Sequence, residues 1–183
     1  MAIHTLCVFC ASANGADPTY RTAALELGKA LGERGIGLVY GGATVGLMGA
    51  VADATLAAGG NVIGVIPHVL VDKEITHEGC TELHLVDTMH TRKALMSERS
   101  DAFLILPGGY GTFEELFEVL AWQALELHQK PICLLNMNGF YDGMLTFLDH
   151  CVTQGVLKPK ARAILLVADT VAEALSKLDA AAA

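Results

Sequence analysis

The chain has 183 residues, of which 52% are hydrophobic and only 17% are charged. This composition favours an α/β protein with a thoroughly buried sheet, and the length predicts a single domain over residues 1–183. The net charge of −8 at pH 7 argues against a nucleic-acid-binding protein, because such proteins normally present a basic face.

Strand and helix signals alternate along the chain. Short apolar segments predict strands over residues 6–9, 36–40, 62–66, 82–86, 102–106, 131–135 and 163–167. Helical periodicity predicts helices over residues 19–34, 89–99, 140–153 and 171–178, with two more ending near residues 58 and 127. Strands that alternate with helices indicate a parallel sheet with right-handed crossovers, and therefore a Rossmann-like, doubly wound α/β fold. Residues 68–79 form the least regular segment.

The cysteines and the hydropathy pattern predict a compartment. Five cysteines without framework spacing indicate free thiols in a reducing environment. Cys7 and Cys10 form a C-x-x-C pair, but it lies inside the first predicted strand, where residues three apart point to opposite faces and pack in the core. The N-terminus has no signal-peptide pattern, and no stretch reaches the ~18 apolar residues of a membrane span. We therefore expect a cytoplasmic protein that does not bind membranes.

Three loops with unusual chemistry follow predicted strands, namely residues 11–15, 41–46 and 107–112. Ligands of doubly wound sheets bind outside the carboxyl ends of the strands, near the point where the strand order reverses. These loops are therefore the candidate binding elements.

The loop at 107–112 is rich in glycine and leads into a predicted helix. Its free backbone N–H groups and the positive end of the helix dipole suit a phosphate. Glu114 and Glu115, predicted to lie in the first helical turn, do not suit a phosphate and need another explanation. A capping box, in which Thr112 and Glu115 satisfy each other's backbone donors, is one alternative and leaves Glu114 as a solvated residue.

Familiar cofactor motifs are missing from the sequence. The glycines of the 41–46 loop match a dinucleotide fingerprint only loosely, and that loop predicts a phosphate site or a tight turn equally well. There is no Walker A pattern, the histidines show no metal-ligand spacing, and no Gly-x-Ser-x-Gly turn presents a nucleophilic serine. We expect no cofactor and no metal.

Two further helices carry informative side chains. Arg92 and Lys93 fall in the first two turns of a predicted helix, where cations are disfavoured. Residues that are unfavourable for their local structure often mark a functional site. Alternatively, Arg92 and Lys93 could be surface residues that form ion pairs with Glu98 or Asp87. The Leu/Phe stripe over residues 116–127, with Trp122, predicts a helix face that is buried or contacts another subunit.

Together these motifs resemble the Lonely Guy (LOG) family. The run from Pro107 to Glu115 matches the P-G-G-x-G-T-x-x-E signature, and the run from Met89 to Lys93 matches the upstream M-H-x-R-K element. The similarity continues through residues 7–10, 40–42, 46–49, 62–67 and 134–136, so it covers nearly the whole chain in order. Ala11, Ala43 and Ala121 depart from the residues usual in the family.

The resemblance implies a cytokinin riboside 5′-monophosphate phosphoribohydrolase, although such proteins often carry the label lysine decarboxylase. It implies a homodimer and a nucleoside 5′-monophosphate substrate, with Arg92 and Glu115 as catalytic residues. It implies substrate contacts from Ser12, Gly42, Glu74, Met89, Lys93, Gly108, Gly109, Tyr110, Gly111, Thr112 and Glu114. A nucleosidase acting on plain AMP, a non-catalytic nucleotide or molybdenum-cofactor carrier, and a pyridoxal-dependent decarboxylase are the alternatives.

Overall fold

The structure, a computed structural model, describes residues 2–71 and 75–183, and these form a parallel sheet with helices on both sides. The strands are β1 (Thr5–Phe9), β2 (Gly37–Tyr40), β3 (Val62–Pro67), β4 (Glu82–Val86), β5 (Ala102–Ile105), β6 (Ile132–Leu135) and β7 (Leu165–Ala168). The α-helices are α1 (Pro18–Arg34), α2 (Gly46–Ala57), α3 (Met89–Glu98), α4 (Tyr110–Ala124), α5 (Asp142–Thr153), α6 (Pro159–Arg162) and α7 (Val171–Ala182). Short 3₁₀ turns cover His68–Leu70 and Met137–Gly139.

The strand order is β4-β3-β2-β1-β5-β6-β7, and every pairing is parallel. This confirms the predicted Rossmann-like, doubly wound α/β fold. The order reverses between β1 and β5, where Phe9 is aligned with Ile105. The carboxyl ends of these two strands therefore define the crevice in which such folds bind ligands.

Two hydrophobic cores lie on the two faces of the sheet. One core packs α1, α2 and α7 against the sheet, and the other packs α3, α4 and α5 against the opposite face. Cys10 belongs to the first core and Cys7 to the second, which confirms that this pair points to opposite faces. All five cysteines are free thiols.

Local signals explain where α1 begins and ends. Asp17 caps α1 by accepting the N–H of Thr19, Pro18 occupies its first turn, and Gly35 ends it in the left-handed conformation with φ of 66°.

Other boundaries differ from the predicted ones. The helix α5 begins at Asp142 rather than at residue 140, because Asn138 and Gly139 have positive φ angles and form a separate turn. The helix α4 ends at Ala124, three residues before the predicted end, and Glu126 beyond it has φ of 62°. The short helix α6 was not predicted.

No helix within residues 2–71 and 75–183 is both long enough and apolar enough to cross a bilayer.

Candidate active site

A cavity of about 280 Å³ opens at the carboxyl ends of β1 and β5, where the strand order reverses. It is lined by Val8, Phe9, Cys10, Ala11, Ser12, Ala13, Gly41, Met48, Arg92, Met96, Gly109, Tyr110, Gly111, Thr112 and Glu115. The loops at 11–15 and 107–112 therefore meet here with α3, the helix that carries Arg92. The third loop singled out in the sequence, at 41–46, contributes its first residue.

The turn between β5 and α4 forms one wall of the cavity. The N-cap of α4 is Gly109, so Thr112 is the third helical residue and Glu115 lies in the second turn. The alternative of a capping box between Thr112 and Glu115 is therefore wrong, and so is the prediction that Glu114 and Glu115 lie in the first turn. Tyr110 and Gly111 adopt helical geometry directly after Gly109, so α4 starts three residues before the position that a cap at Thr112 would require. The N–H groups of the first turn have no intrahelical acceptor and form part of this wall.

The side chains of this turn explain its composition. A Cβ atom at Gly108 would lie 2.1 Å from Thr112 Oγ1, so the buried Thr112 side chain requires a glycine there. A Cβ atom at Gly109 or Gly111 would meet no protein atom within 4 Å, although both residues line the cavity. The space in front of these two glycines is therefore free of protein atoms from other parts of the chain. The ring of Tyr110 is 95% exposed.

The loop after β1 also lines the cavity and contains Ser12. Gly46 packs against it so closely that a Cβ atom there would lie 2.3 Å from the carbonyl carbon of Ser12. The first N–H groups of α2, from Leu47 and Met48, donate to the Ala11 carbonyl oxygen at 3.0 and 3.4 Å. Because the protein's own carbonyl occupies this helix N-terminus, the 41–46 loop serves as a tight turn, and the N-terminus of α4 is the better anion site.

Arg92 reaches the cavity from α3, which begins with a capping box between Thr88 and Thr91. The Arg92 side chain is only 4% exposed. Its Nε donates to the Val65 carbonyl oxygen at 3.0 Å and its Nη2 to the Gly41 carbonyl oxygen at 2.8 Å. These two carbonyls lie at the ends of neighbouring strands, so the sheet itself positions the guanidinium.

Lys93, the next residue, points to a different neighbour. Its Nζ donates to a carboxylate oxygen of Glu114 and lies 3.0 Å from Glu118 Oε2, both on α4. Burial acts to lower the pKa of Lys93, but the bonds to these two carboxylates outweigh it, and the pKa is raised overall. Both Arg92 and Lys93 are buried, so the alternative of a surface pair with Glu98 or Asp87 is wrong.

Glu115 faces the cavity from α4, beside the floor formed by the end of β1. Burial and then the Glu115 carboxylate raise the pKa of both Cys7 and Cys10 well above the ordinary thiol value. The nearby thiols are therefore neutral at physiological pH. Within residues 2–71 and 75–183, no group of three or more His, Cys, Asp or Glu side chains is placed to hold a metal ion.

The other predicted substrate contacts are distributed around this site. Gly42 lies in the turn after β2 with φ of 77°, and its carbonyl accepts the His77 N–H at 2.9 Å. Met89 is partly exposed and its Sδ lies 3.9 Å from Arg92 Nη1. Glu74 lies outside the described residues.

Sequence reasoning missed the apolar floor of the cavity, formed by Phe9, Cys10, Met48 and Met96. Their hydrophobic periodicity is that of ordinary core residues, so no local signal separates them from the rest of the core.

Comparisons with known proteins place the chain in a family. A family model described as "Possible lysine decarboxylase" matches residues 48–178. The cytokinin riboside 5′-monophosphate phosphoribohydrolase LOG of Oryza sativa subsp. japonica is 51% identical over 174 residues, which cover 95% of this chain and 72% of the rice protein. The corresponding Arabidopsis thaliana enzyme, LOG7, is 49% identical over 174 residues, covering 95% of this chain and 80% of the plant protein.

Solved structures with the same fold are more distant in sequence. The Moco carrier protein of Chlamydomonas reinhardtii superposes with a TM-score of 0.73 at 21% identity, covering 97% of this chain and 96% of that one. A molybdenum cofactor binding protein from Rippkaea orientalis gives a TM-score of 0.72 at 20% identity, covering 98% of each chain. These similarities establish the fold alone, whereas the plant relatives and the family model show that the chain belongs to the Lonely Guy family.

Proposed function

We propose that this protein hydrolyses the N-glycosidic bond of adenosine 5′-monophosphates, including N6-modified ones, and releases the free base and ribose 5-phosphate. The observation that carries the proposal is that Arg92, Glu115 and the glycine turn at 109–112 line one cavity at the switch point of the sheet. The activity named for the plant relatives supports the same reaction.

The phosphate of the substrate fits the N-terminus of α4. The N–H groups of the first helical turn and the helix dipole both favour an anion, and Gly109 and Gly111 leave room for it. Ser12, which lines the same cavity, is the side chain to which we assign a second contact with this group. This contact lies away from the bond that breaks, so its binding energy serves to position the sugar.

Glu115 and Arg92 carry the chemistry. Cleavage of an N-glycosidic bond passes through an oxocarbenium-like sugar, which a neighbouring carboxylate stabilises while it orients or deprotonates the attacking water. Glu115 lies one helical turn beyond the phosphate site, on the same cavity wall, and suits this role. The Arg92 guanidinium can clamp the ribose or meet the negative charge that develops on the leaving purine.

The decarboxylase description does not fit the lysine at this site. A pyridoxal cofactor needs an unprotonated lysine amine that faces the substrate. The Lys93 amine instead bonds with Glu114 and Glu118, which keep it protonated, and Lys93 is not among the residues that line the cavity.

A direct assay tests the proposal. The purified protein is incubated separately with AMP and with isopentenyl-AMP, and free base is detected by chromatography. We expect release from at least one of the two, and their ratio gives the base preference. Release from neither, combined with tight binding of either nucleotide, would favour a carrier instead.

Replacement of the proposed catalytic carboxylate sharpens this test. Glu115→Gln keeps the side-chain volume but removes the negative charge, and we expect kcat to fall by about 100-fold or more. Glu126→Gln, an exposed charge just beyond the end of α4, serves as the matched control and should retain wild-type activity. Wild-type turnover by Glu115→Gln would refute the assigned role.

We further propose that the protein is a homodimer that pairs through α4 and α5. Exposed apolar side chains gather on this side of the molecule, including Phe117, Leu125, Phe147 and Val156. A groove between the helices is lined by Phe117, Leu120, Ala121, Ala124, Leu148, Leu157, Ala161, Arg162 and Leu165. Exposed apolar side chains beside an apolar groove are typical of an interface.

The cysteines support a cytoplasmic location as part of the proposal. All five thiols are free, and three of them are buried in the two cores. This arrangement suits a reducing compartment.

A further inference from the structure

Tyr141, the residue before α5, contacts both the end of β5 and the first turns of α4. It is among the largest fully buried side chains, with an exposed fraction of only 1%. Its ring makes edge-to-face contacts with Phe113 in the first turns of α4, at 6.1 Å between centroids, and with Phe140, at 4.7 Å. The ring therefore packs against the helix whose N-terminus forms the proposed phosphate site.

The hydroxyl group of Tyr141 bonds to the turn itself. It donates to the Leu106 carbonyl oxygen at 2.6 Å, at the point where the chain leaves β5. Burial raises the pKa of Tyr141 well above its ordinary value, so the phenol keeps its proton and remains a donor at physiological pH. The hydroxyl therefore joins the residue before α5 to the residue before Pro107.

Asn136 fixes the position of Tyr141. Its Oδ1 accepts the Tyr141 N–H at 2.7 Å, its Nδ2 donates to Asp142 Oδ1 at 2.8 Å, and its own N–H donates to the Ala168 carbonyl oxygen at 2.8 Å. Asn136 comes directly after β6, and Ala168 ends β7. A continuous hydrogen-bonded chain therefore runs from the end of β7, through the end of β6, to the glycine turn after β5.

We propose that Tyr141 is a positioning residue that holds the backbone at Leu106 and packs against Phe113, so that the first N–H groups of α4 are oriented for phosphate before the substrate arrives. The inference rests on the proposed function for its substrate, but it concerns the binding step rather than the chemical step. Preorganised donors avoid the cost of ordering the turn when the ligand binds, so loss of the hydroxyl should weaken the recognition of phosphate selectively.

The test compares wild type with Tyr141→Phe, which keeps the ring and removes the hydroxyl. KM for the hydrolysed monophosphate should rise roughly three- to tenfold, the effect of losing one ordering hydrogen bond, while kcat changes less than twofold. The Kd of ribose 5-phosphate, measured by calorimetry, should rise by the same factor. The kcat/KM for the corresponding nucleoside, which has no phosphate, should stay the same.

Tyr40→Phe is the matched control. Tyr40 is also fully buried, but its hydroxyl lies 3.5 Å from Cys80 Sγ and away from the turn. We expect this variant to lose thermal stability as Tyr141→Phe does, without the selective change in phosphate binding. Asn136→Ala, which removes the acceptor for the Tyr141 N–H, should repeat the selective change and serves if Tyr141→Phe does not fold.

The outcomes separate this inference from the proposed function. Unchanged KM and Kd in a folded Tyr141→Phe protein, or equal losses for the nucleoside and the monophosphate, would overturn the positioning role. A wild-type protein that binds AMP without cleaving it would overturn the proposed reaction, and the Kd of AMP in the two proteins would still decide the role of Tyr141.

Discussion

The position of the Arg92 guanidinium depends on the absence of a side chain at Gly41. A Cβ atom there would lie 2.1 Å from Arg92 Nη2 and 2.3 Å from Met48 Cε. The Gly41 carbonyl oxygen also accepts a hydrogen bond from the same nitrogen. A single residue at the end of β2 therefore both holds the arginine and leaves room for it.

We predict that Gly41→Ala lowers activity by about tenfold or more, because the methyl group forces the guanidinium out of its place, and small misplacements cost this much in enzymes. The measurement is kcat/KM for the nucleotide that wild type hydrolyses. Gly143→Ala is the matched control, since a Cβ atom at this position in α5 meets no atom within 4 Å and alanine favours a helix. Equal activity of both variants would contradict the argument.

At the scale of elements, Lys93 joins the two helices that carry the proposed catalytic pair. Arg92 belongs to α3 and Glu115 to α4, and the Lys93 amine bonds across this boundary to Glu114 and Glu118. Because the amine is almost completely buried, removing one partner of this link costs more than breaking an ordinary surface ion pair.

We predict that Lys93→Met destabilises the protein by up to about 3 kcal/mol, because it leaves the partly buried Glu118 without its cation. The double variant Lys93→Met/Glu118→Met should recover most of this loss in urea unfolding. Lys29→Met, which breaks the exposed pair with Glu33, is the control and should cause no measurable change.

The same variants address the nucleotide contact that the family resemblance implies for Lys93. If the lysine acts by joining the helices, the double variant recovers kcat/KM together with stability. If the lysine contacts the nucleotide, KM stays high in the double variant while stability returns.

A second element-scale prediction concerns the start of the central strands. Asp101, just before β5, accepts hydrogen bonds from the N–H groups of His4 and Thr5 at 2.8 and 2.9 Å. Burial acts to raise the pKa of Asp101, but these bonds outweigh it and lower the pKa overall. A lowered pKa means that the carboxylate contributes stability above its unfolded-state value, near pH 4, and that this contribution is lost as pH falls through the folded-state pKa.

We therefore expect Asp101→Asn to be less stable than wild type by about 1–2 kcal/mol at pH 7, because the charged acceptor is lost. The difference should begin to shrink below about pH 4, where the carboxyl group of the unfolded wild-type chain binds a proton, and should vanish as pH falls through the lowered folded-state pKa. Urea unfolding at pH 7 and pH 3 measures both. A difference that stays constant over this range would contradict the assignment.

The sequence predicted most of the fold because most strands are short apolar runs bounded by helix signals, as for β5, which was predicted over residues 102–106 and is observed over Ala102–Ile105. It could not predict that Lys93 is buried against α4 or that Arg92 bonds to Gly41, because these contacts join residues 21 and 51 positions apart. The capping box that the sequence allowed at Thr112 is absent for a local reason. The same spacing fits a cap or the third helical residue, and only the backbone of Gly109 decides between them.

At the scale of the whole molecule, α4 contributes residues both to the cavity and to the apolar groove. Its N-terminal half faces the cavity with Thr112 and Glu115, and its C-terminal half forms the apolar groove with α5. Leu116 and Val119 are buried in the core, whereas Phe117 and Leu125 are exposed, so the predicted Leu/Phe stripe divides into a core face and an outer face. Pairing of two copies along this outer face would place the interface beside both active sites.

We predict that Phe117→Glu converts the proposed dimer into a monomer, because two carboxylates would have to enter an apolar interface without partners. Sedimentation velocity at micromolar concentration measures the change. The matched control is Leu25→Glu on α1, because Leu25 has an exposed fraction of 41%, against 42% for Phe117, and lies on the other face of the sheet. A monomeric wild type, or equal dissociation of both variants, would contradict pairing through α4 and α5.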